Sequence, residues 1–198
     1  MNKRTLQSIK TKKRIIEAAK ELFVEKGYFN VTVDDVVERA NSSKGGFYTH
    51  FKTKEELIIN MVPMVDEAYT KFTQINKEYK STLDKITSFI NYIFEIMEKE
   101  IGLEFMSAIY SSQIKDLTTH RFLIESDRVY YHVFGRLIEE AQRNGEITSD
   151  LLTEDIINIL TTCIRGVIYD WCLKKGSFQL ALYGNNLINI MLNQLKSK

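Results

Sequence analysis

The chain contains a single proline among 198 residues, and its nine glycines lie mainly where other signals predict the end of a helix. Over long stretches, apolar residues recur at intervals of three and four, the spacing that places them on one face of a helix. No segment alternates apolar and polar residues convincingly, as a half-buried strand does. The sequence therefore predicts an all-α fold.

Capping residues set the predicted boundaries of the first helices. Thr32 is followed three residues later by Asp35, a pairing that caps the start of a helix. Ser43 precedes a short helix, and the letters TKEE from Thr53 read as a capping box that opens a fourth, long helix. Helices are predicted at about residues 6–26, 32–40, 44–51, 53–75, 83–100, 103–114, 119–144, 153–175 and 178–195.

The segment SSKGGFYTHF, residues 42–51, has an unusual composition for a helix. Gly45 and Gly46 each weaken a helix by about 1 kcal/mol relative to alanine. At about 100° per residue, Phe47 and Phe51 fall on one face, and Gly45 and Thr49 fall on the opposite face. Glycine on the outward face lets the backbone approach a phosphate or a base edge closely. The segment therefore predicts the second helix of a helix-turn-helix, which enters the major groove of DNA.

Net charge differs between the N-terminal segment, which contains the predicted helix-turn-helix, and the rest of the chain. Residues 1–54 hold 12 Lys or Arg and 6 Asp or Glu, a net charge of +6. Residues 55–198 hold 15 and 20, a net charge of −5, and the two sums give the formal charge of +1. A basic segment before an acidic one indicates a nucleic-acid partner for the first segment alone. We therefore expect a helix-turn-helix DNA-binding domain at residues 1–54 and a second helical domain at residues 55–198.

The sequence shows no pattern typical of catalysis, metal binding or export. His50, His120 and His132 are scattered, and neither a Ser-His-Asp set nor a metal-ligand spacing occurs. Cys163 and Cys172 are nine residues apart, on opposite faces of a predicted helix, which excludes a disulfide between them. No apolar run approaches the length of a membrane span, and the N-terminus lacks a signal-peptide core. We expect a cytoplasmic binding protein without a cofactor, and an enzyme is the disfavoured alternative.

Residues 11–58, which read TKKRIIEAAKELFVEKGYFNVTVDDVVERANSSKGGFYTHFKTKEELI, closely resemble the DNA-binding domain of the TetR family of transcriptional repressors. The resemblance covers about a quarter of the chain. It implies about nine helices, a homodimer on a DNA operator, and a C-terminal domain whose small-molecule ligand sets operator affinity. A regulator that senses no ligand and a purely architectural DNA-binding protein remain the open alternatives.

The same resemblance assigns roles to individual residues. Those matching phosphate contacts in the family are Thr32, Ser43, Tyr48 and Lys54. Those matching contacts in the groove are Lys44, Gly45, Thr49 and His50. Gly46 belongs to the same DNA-facing set, but many relatives carry alanine, asparagine or threonine there. Because glycine has no side chain that could read a base, base specificity must depend more on Lys44, Thr49 and His50, or on DNA shape.

Aromatic residues and methionines concentrate in the predicted middle helices, which suggests a mostly apolar pocket for a small effector. The alternative is that these side chains are ordinary core. The candidate ligand-binding residues are Phe89, Tyr92, Phe105, Met106 and Tyr110.

The last two predicted helices each carry an apolar stripe, and two such helices from each protomer would form a four-helix dimer interface. The alternative is that both stripes pack inside their own protomer. The candidate interface residues are Leu160, Ile164, Val167, Trp171, Leu187, Ile188, Met191 and Leu195.

Pro63 falls inside the predicted long fourth helix, where it lacks an N–H group for the carbonyl of Ile59. Such a proline costs about 3 kcal/mol and bends the helix axis. The bend is either a hinge that transmits ligand binding to the DNA-binding domain or a static kink.

Overall fold

The computed structural model describes residues 3–60, 62–75, 77–115 and 121–197. Within these ranges lie ten α-helices and no strand, beyond one isolated bridge between Ile147 and Lys196. The all-α prediction is therefore confirmed. The helices are α1 (Lys3–Lys26), α2 (Val33–Arg39), α3 (Lys44–His50), α4 (Glu55–Ile59), α5 (Val62–Gln74), α6 (Thr82–Ile96), α7 (Leu103–Lys115), α8 (Val129–Arg143), α9 (Thr153–Leu173) and α10 (Leu180–Leu195).

The chain forms two compact units. The first unit comprises Met1–Met64 and Ser107–Phe122, and the second comprises Val65–Met106 and Leu123–Lys198. Sequence patterning placed a boundary after residue 54, whereas the first unit of the structure also contains α4, in which Leu57 and Ile58 are fully buried.

The predicted apolar stripe of α1 forms the core of the first unit. Its members Ile15, Ala19, Leu22 and Phe23 are all buried. The helix ends at Gly27, whose φ of 78° lies in the left-handed region that favours glycine.

Both predicted caps in the helix-turn-helix are present. The side chain of Thr32 accepts a hydrogen bond from the backbone N–H of Asp35 at 3.2 Å, and the Asp35 carboxylate accepts one from the Thr32 N–H at 2.8 Å. Ser43 Oγ accepts a hydrogen bond from the N–H of Gly46 at 3.0 Å at the start of α3. Local sequence chemistry therefore fixes where α2 and α3 begin.

The predicted long fourth helix is wrong, because the structure has two helices in its place. α4 follows Lys54, which makes no side-chain capping bond, and it ends at Ile59. The Glu56 carboxylate accepts a hydrogen bond from the backbone N–H of Lys52 at 2.7 Å, so the capping box predicted at Thr53 does not form.

Pro63 lies in the first turn of α5 and not in the interior of a helix. The first N–H groups of a helix have no carbonyl to bind, so proline is tolerated there without bending the axis. Because α4 ends at Ile59 and α5 begins at Val62, Pro63 does not lie in the interior of the continuous helix in which the kink was predicted.

Aromatic rings form the centre of the second unit. Ring centroids are 4.9 Å apart for Phe72 and Phe89, 5.1 Å for Phe89 and Phe134, and 5.2 Å for Tyr130 and Phe134. Gly184 lets α10 approach α6 closely, because a Cβ atom at this position would lie 2.4 Å from the ring of Phe94.

A long-range carboxylate caps the start of α10. Glu98 accepts hydrogen bonds from the backbone N–H groups of Leu180 and Ala181, at 2.9 and 3.2 Å. The residue that precedes α10, Gln179, makes no side-chain capping bond. Glu98 itself lies in a π-helical turn, Met97–Ile101, that follows α6.

The helix predicted at residues 119–144 is shorter in the structure. Residues 116–120, which include His120, lie outside the described ranges, and a 3-10 turn at Phe122–Ile124 precedes α8. Arg128, just before α8, binds Asp66 of α5 with an Nη2–Oδ1 distance of 2.7 Å, and both side chains are largely buried. This ion pair ties two helices of the second unit together.

Among the described residues, α9 is the one helix that reaches the length and mean hydropathy of a membrane span. Its buried side chains, such as Leu160 and Ile164, form one face within the second unit. A core helix has the same length and composition, so this feature is weak support for a span.

Candidate nucleic-acid interface

The recognition helix α3 has the two faces that the sequence predicted. Phe47 and Phe51 have exposed fractions of 0% and 1%, whereas Lys44, Gly45 and Thr49 are exposed. The turn before α3 contains Asn41, which has a φ of 45°. α2, this turn and α3 together form the helix-turn-helix.

The two glycines of α3 have different surroundings. A Cβ atom on Gly45 would meet nothing closer than Ser43 Oγ at 3.9 Å, so its surface is open. A Cβ atom on Gly46 would lie 2.7 Å from Ser42 Oγ and 3.3 Å from Ser43 Oγ. Gly45 therefore provides the low outward surface, and Gly46 leaves room for the hydroxyl groups at the start of α3.

The remaining side chains of α3 are partly held by the helix itself. Thr49 Oγ1 donates a hydrogen bond to the carbonyl of Gly45 at 2.7 Å, which leaves its methyl group and its lone pairs for DNA. The ring of Tyr48 stacks edge-on against Phe47 with centroids 5.3 Å apart, yet the residue is 55% exposed. His50, at the end of α3, is half-buried.

Lys54 is engaged with the chain's own backbone. Its Nζ atom donates hydrogen bonds to the carbonyls of Tyr28 and Val31 at 2.9 and 2.8 Å, and it lies 4.2 Å from the centroid of the Tyr28 ring. Burial lowers the pKa of Lys54, and the charge of Glu55 acts in the opposite direction. These two carbonyls occupy two of the three N–H groups of the Lys54 ammonium, so the phosphate contact expected of Lys54 has the third N–H group and the charge available.

Charged side chains brace α2 against α1. Arg39 Nη2 lies 2.8 Å from Glu25 Oε2, and Arg39 Nη1 lies 3.3 Å from Glu21 Oε2. Lys26 Nζ lies 2.9 Å from Asp35 Oδ1. The pKa of Asp35 is lowered, mainly by its hydrogen bonds with Thr32 and then by Lys26. These contacts hold the helix-turn-helix on α1.

The five candidate ligand-binding residues are only partly brought together. Phe89 and Tyr92 both pack against Phe72, with centroids 4.9 and 5.3 Å apart, and the Tyr92 hydroxyl donates to the carbonyl of Ala68 at 3.1 Å. Tyr110 belongs to the first unit, whereas the other four candidates belong to the second. Met106 is buried and Phe105 is half-buried near the start of α7.

A groove between α8 and α9, which the sequence did not predict, has a volume of about 1030 Å³. Arg165 is oriented there by hydrogen bonds to the Tyr131 hydroxyl at 2.9 Å and to Thr162 Oγ1 at 3.0 Å. Exposed Ile124 and Leu152 add apolar surface. The polar lining includes Tyr131, His132, Arg136, Glu154, Asn158 and Arg165. The groove forms only when side chains from two separate helices come together, so no short sequence motif could have predicted it.

Most of the candidate dimer residues are covered within one protomer. Six of the eight are buried inside their own protomer, and Leu187 and Met191 are half-buried. The six buried residues are Leu160, Ile164, Val167, Trp171, Ile188 and Leu195. These stripes pack within the second unit, which is the alternative that the sequence left open. The exposed apolar residues of the same two helices are Ile159, Tyr169, Leu173, Leu182, Tyr183 and Ile190.

Comparisons with known proteins show which family the chain resembles. The family profile described as "Bacterial regulatory proteins, tetR family" matches residues 15–61. The Transposon Tn10 TetC protein of Escherichia coli is 30% identical over 188 residues, which are 91% of this chain and 92% of that protein.

Two solved structures share the fold along nearly the whole chain. A TetR-family transcriptional regulator from Pectobacterium atrosepticum has a TM-score of 0.75 at 16% identity, covering 100% of this chain and 99% of that one. The regulator FadR of Bacillus subtilis, in complex with stearoyl-CoA, has a TM-score of 0.65 at 18% identity, covering 90% and 96%. The chain belongs to the TetR family of bacterial regulatory proteins, which are transcriptional regulators and not enzymes.

Proposed function

We propose that this TetR-family regulator is a cytoplasmic repressor that binds a palindromic operator as a homodimer and is released by a small, mostly apolar effector. The observation that carries the proposal is the outward face of α3. Open backbone at Gly45 lies between exposed Lys44 and Thr49, and buried Phe47 and Phe51 hold the opposite face in the core. A helix of this shape fits the major groove closely.

Two kinds of contact are assigned to this surface. Phosphate contacts position the protein without reading sequence, and base-edge contacts read it. We assign positioning to Thr32, Ser43, Tyr48 and Lys54. We assign base reading to Lys44, Gly45, Thr49 and His50, with Gly46 leaving room for the start of α3. The exposure of Lys44, Tyr48 and Thr49 supports these assignments.

The homodimer is proposed to form through the exposed faces of α9 and α10. On α9, Ile159, Gly166, Tyr169 and Leu173 are exposed and lie at intervals of seven, three and four residues, which places them on one face of the helix. On α10, Leu182, Tyr183 and Ile190 are exposed. Two such helices from each protomer would form a four-helix interface.

The effector is proposed to bind the second unit. The Bacillus subtilis regulator FadR, which has a similar fold, was solved in complex with stearoyl-CoA. That complex supports the proposal only in that a protein of this fold can hold an apolar chain. A regulator without an effector is the rival hypothesis. A ligand present at 100 times its dissociation constant stabilises a protein by about 2.7 kcal/mol, so thermal-shift screening separates the two.

The proposed operator is tested by selecting bound DNA from a random pool with the full-length protein. The expected product is an inverted repeat, because a two-fold symmetric dimer presents two copies of α3. Affinity for the selected site should fall steeply as salt rises, since lysine–phosphate contacts release counterions. Recovery of no enriched sequence, or of asymmetric sites only, would contradict the proposal.

A further inference from the structure

The N-terminal overhang of α1, residues 3–14, is helical, and its described side chains, from Thr5 on, make little contact with the core. Lys3 begins α1, and the first buried side chain described is that of Ile15. From Thr5 to Arg14 every side chain is exposed except the half-buried Thr11. At 1.5 Å per residue the overhang is about 18 Å long. It precedes the family match, which begins at residue 15.

The N-terminal overhang carries charge of one sign. It contains six cationic residues and no acidic one, because the first acidic residue of the chain is Glu17. The six are Lys3, Arg4, Lys10, Lys12, Lys13 and Arg14. Lys10 and Arg14 are four residues apart, a spacing at which like charges destabilise a helix. No acidic residue lies in the first turn to offset the positive end of the helix dipole. A polyanion would relieve both effects.

Contacts of α1 place the overhang beside the helix-turn-helix within the first unit. The Nζ atom of Lys12 lies 5.7 Å from the ring centroid of Phe51, the residue that follows α3. Lys10, Lys13 and Arg14 line a groove of about 450 Å³ that also includes two glutamates further along α1 and the C-terminal end of α2. Cationic side chains of the overhang are therefore close to both helices of the motif.

We propose that the N-terminal overhang binds the phosphate backbone of the duplex that flanks the half-site read by α3. This inference rests on the proposed DNA-binding function, and it extends the contact region beyond the helix-turn-helix. Each phosphate neutralised by a Lys or Arg adds about 0.9 to the slope of log affinity against log salt. The contribution is independent of base sequence, and it requires duplex beyond the half-site.

The test compares two duplexes that carry the selected site. One ends at the outermost base pair of the site, and the other continues for about one helical turn, roughly ten base pairs, on each side. Wild-type protein should bind the extended duplex more tightly and with a steeper salt dependence. The variant Lys10→Ala/Lys13→Ala/Arg14→Ala should show the same slope on both duplexes. Its affinity should fall at least about tenfold on the extended duplex only.

The matched control is Lys77→Ala/Lys80→Ala/Lys196→Ala, which removes three exposed positive charges from the second unit. This control should keep the advantage of the extended duplex, and circular dichroism should show that both variants stay folded. A wild type indifferent to duplex length, or a control that loses the advantage equally, would overturn the inference. Failure of the DNA-binding proposal itself appears earlier and separately, as a pool in which no site is enriched.

Discussion

The Nζ atom of Lys44 lies 2.9 Å from Oδ1 of Asp34, so the first residue of the recognition helix is tied to the first turn of α2. The hydrogen bond to Asp34, together with its charge, raises the pKa of Lys44. Both side chains are about two-thirds exposed. Asp34 therefore competes with DNA phosphates and base edges for the same amine.

Replacing Asp34 with asparagine should strengthen DNA binding. The change releases Lys44 and removes a negative charge close to the proposed DNA face. Because exposed pairs are weak, the expected gain is up to about fivefold. The gain should be larger on the selected site than on random duplex, because Lys44 is assigned to base reading and its release should raise specificity. Fluorescence anisotropy at fixed salt, with the selected site and with random duplex, measures both affinities.

The control for this variant is Glu38→Gln, which removes a carboxylate from the other end of α2. It should change affinity less than Asp34→Asn. Equal gains from the two variants would show that net charge is responsible, and not the release of Lys44.

Gly45→Ala should change stability and DNA affinity in opposite directions. Alanine is better than glycine inside a helix by up to about 1 kcal/mol, and the space around Gly45 is open, so thermal stability should rise. The added methyl group lies where the backbone is proposed to approach DNA, so affinity should fall. Thermal melting and anisotropy on the same preparation check both signs.

Gly46→Ala is the matched comparison for this experiment. Its methyl group would displace the Ser42 hydroxyl, which is the end of a rotatable side chain. We expect a smaller loss of DNA affinity than for Gly45→Ala. If the two losses were equal, or if Gly45→Ala bound DNA as well as wild type, the assigned role of Gly45 would be wrong.

Glu146 should make the stability of the second unit depend on pH. Burial raises its pKa, but hydrogen bonds from the backbone N–H groups of Thr82 and Leu83, at 3.0 and 2.9 Å, outweigh burial, and the resulting pKa is lowered. A carboxyl whose pKa is lowered by folding stabilises the fold above its ordinary pKa. That contribution disappears as pH falls through the folded-state value.

The stability difference between wild type and Glu146→Gln should therefore be largest near neutral pH and shrink below about pH 4.3. Thermal melting across this range measures the difference. A difference that stays constant down to about pH 3 would exclude the ionised carboxylate as its cause.

Ile159→Glu/Leu173→Glu should produce a folded monomer with weak operator binding. Both side chains are exposed on the α9 face proposed for dimerisation, and burying a carboxylate between protomers without a partner is costly. Sedimentation measures the mass. The control Ile75→Glu replaces another exposed isoleucine of the second unit and should stay dimeric. A dimer that survives the double substitution would place the interface elsewhere.

Local chemistry made the helix-turn-helix predictable. The pairing of Thr32 with Asp35 and the cap at Ser43 involve residues within three positions of each other, so the sequence alone contains their geometry. The TKEE segment satisfied the same pattern, yet Glu56 binds the N–H of Lys52 instead. A pattern of residue types cannot decide between two nearby donors.

Periodicity predicted which faces of α9 and α10 are apolar but not what covers them. The strongest stripe, with Leu160 and Ile164, is buried within the protomer. The weaker stripe, with Ile159 and Tyr169, remains exposed. Similarly, the caps that Glu98 and Glu146 provide join residues more than 60 positions apart, and no local pattern signals them.

The most direct test of the proposed reading face is a set of affinities for the selected site and for each of its single base-pair variants. With Thr49→Ala, preference should weaken by about 1–3 kcal/mol at particular base pairs, at equivalent positions in the two half-sites. With Tyr48→Phe, affinity should fall by a similar factor for every sequence, because a phosphate contact carries no base information. Base preferences of Thr49→Ala that match those of wild type at every position would contradict the account.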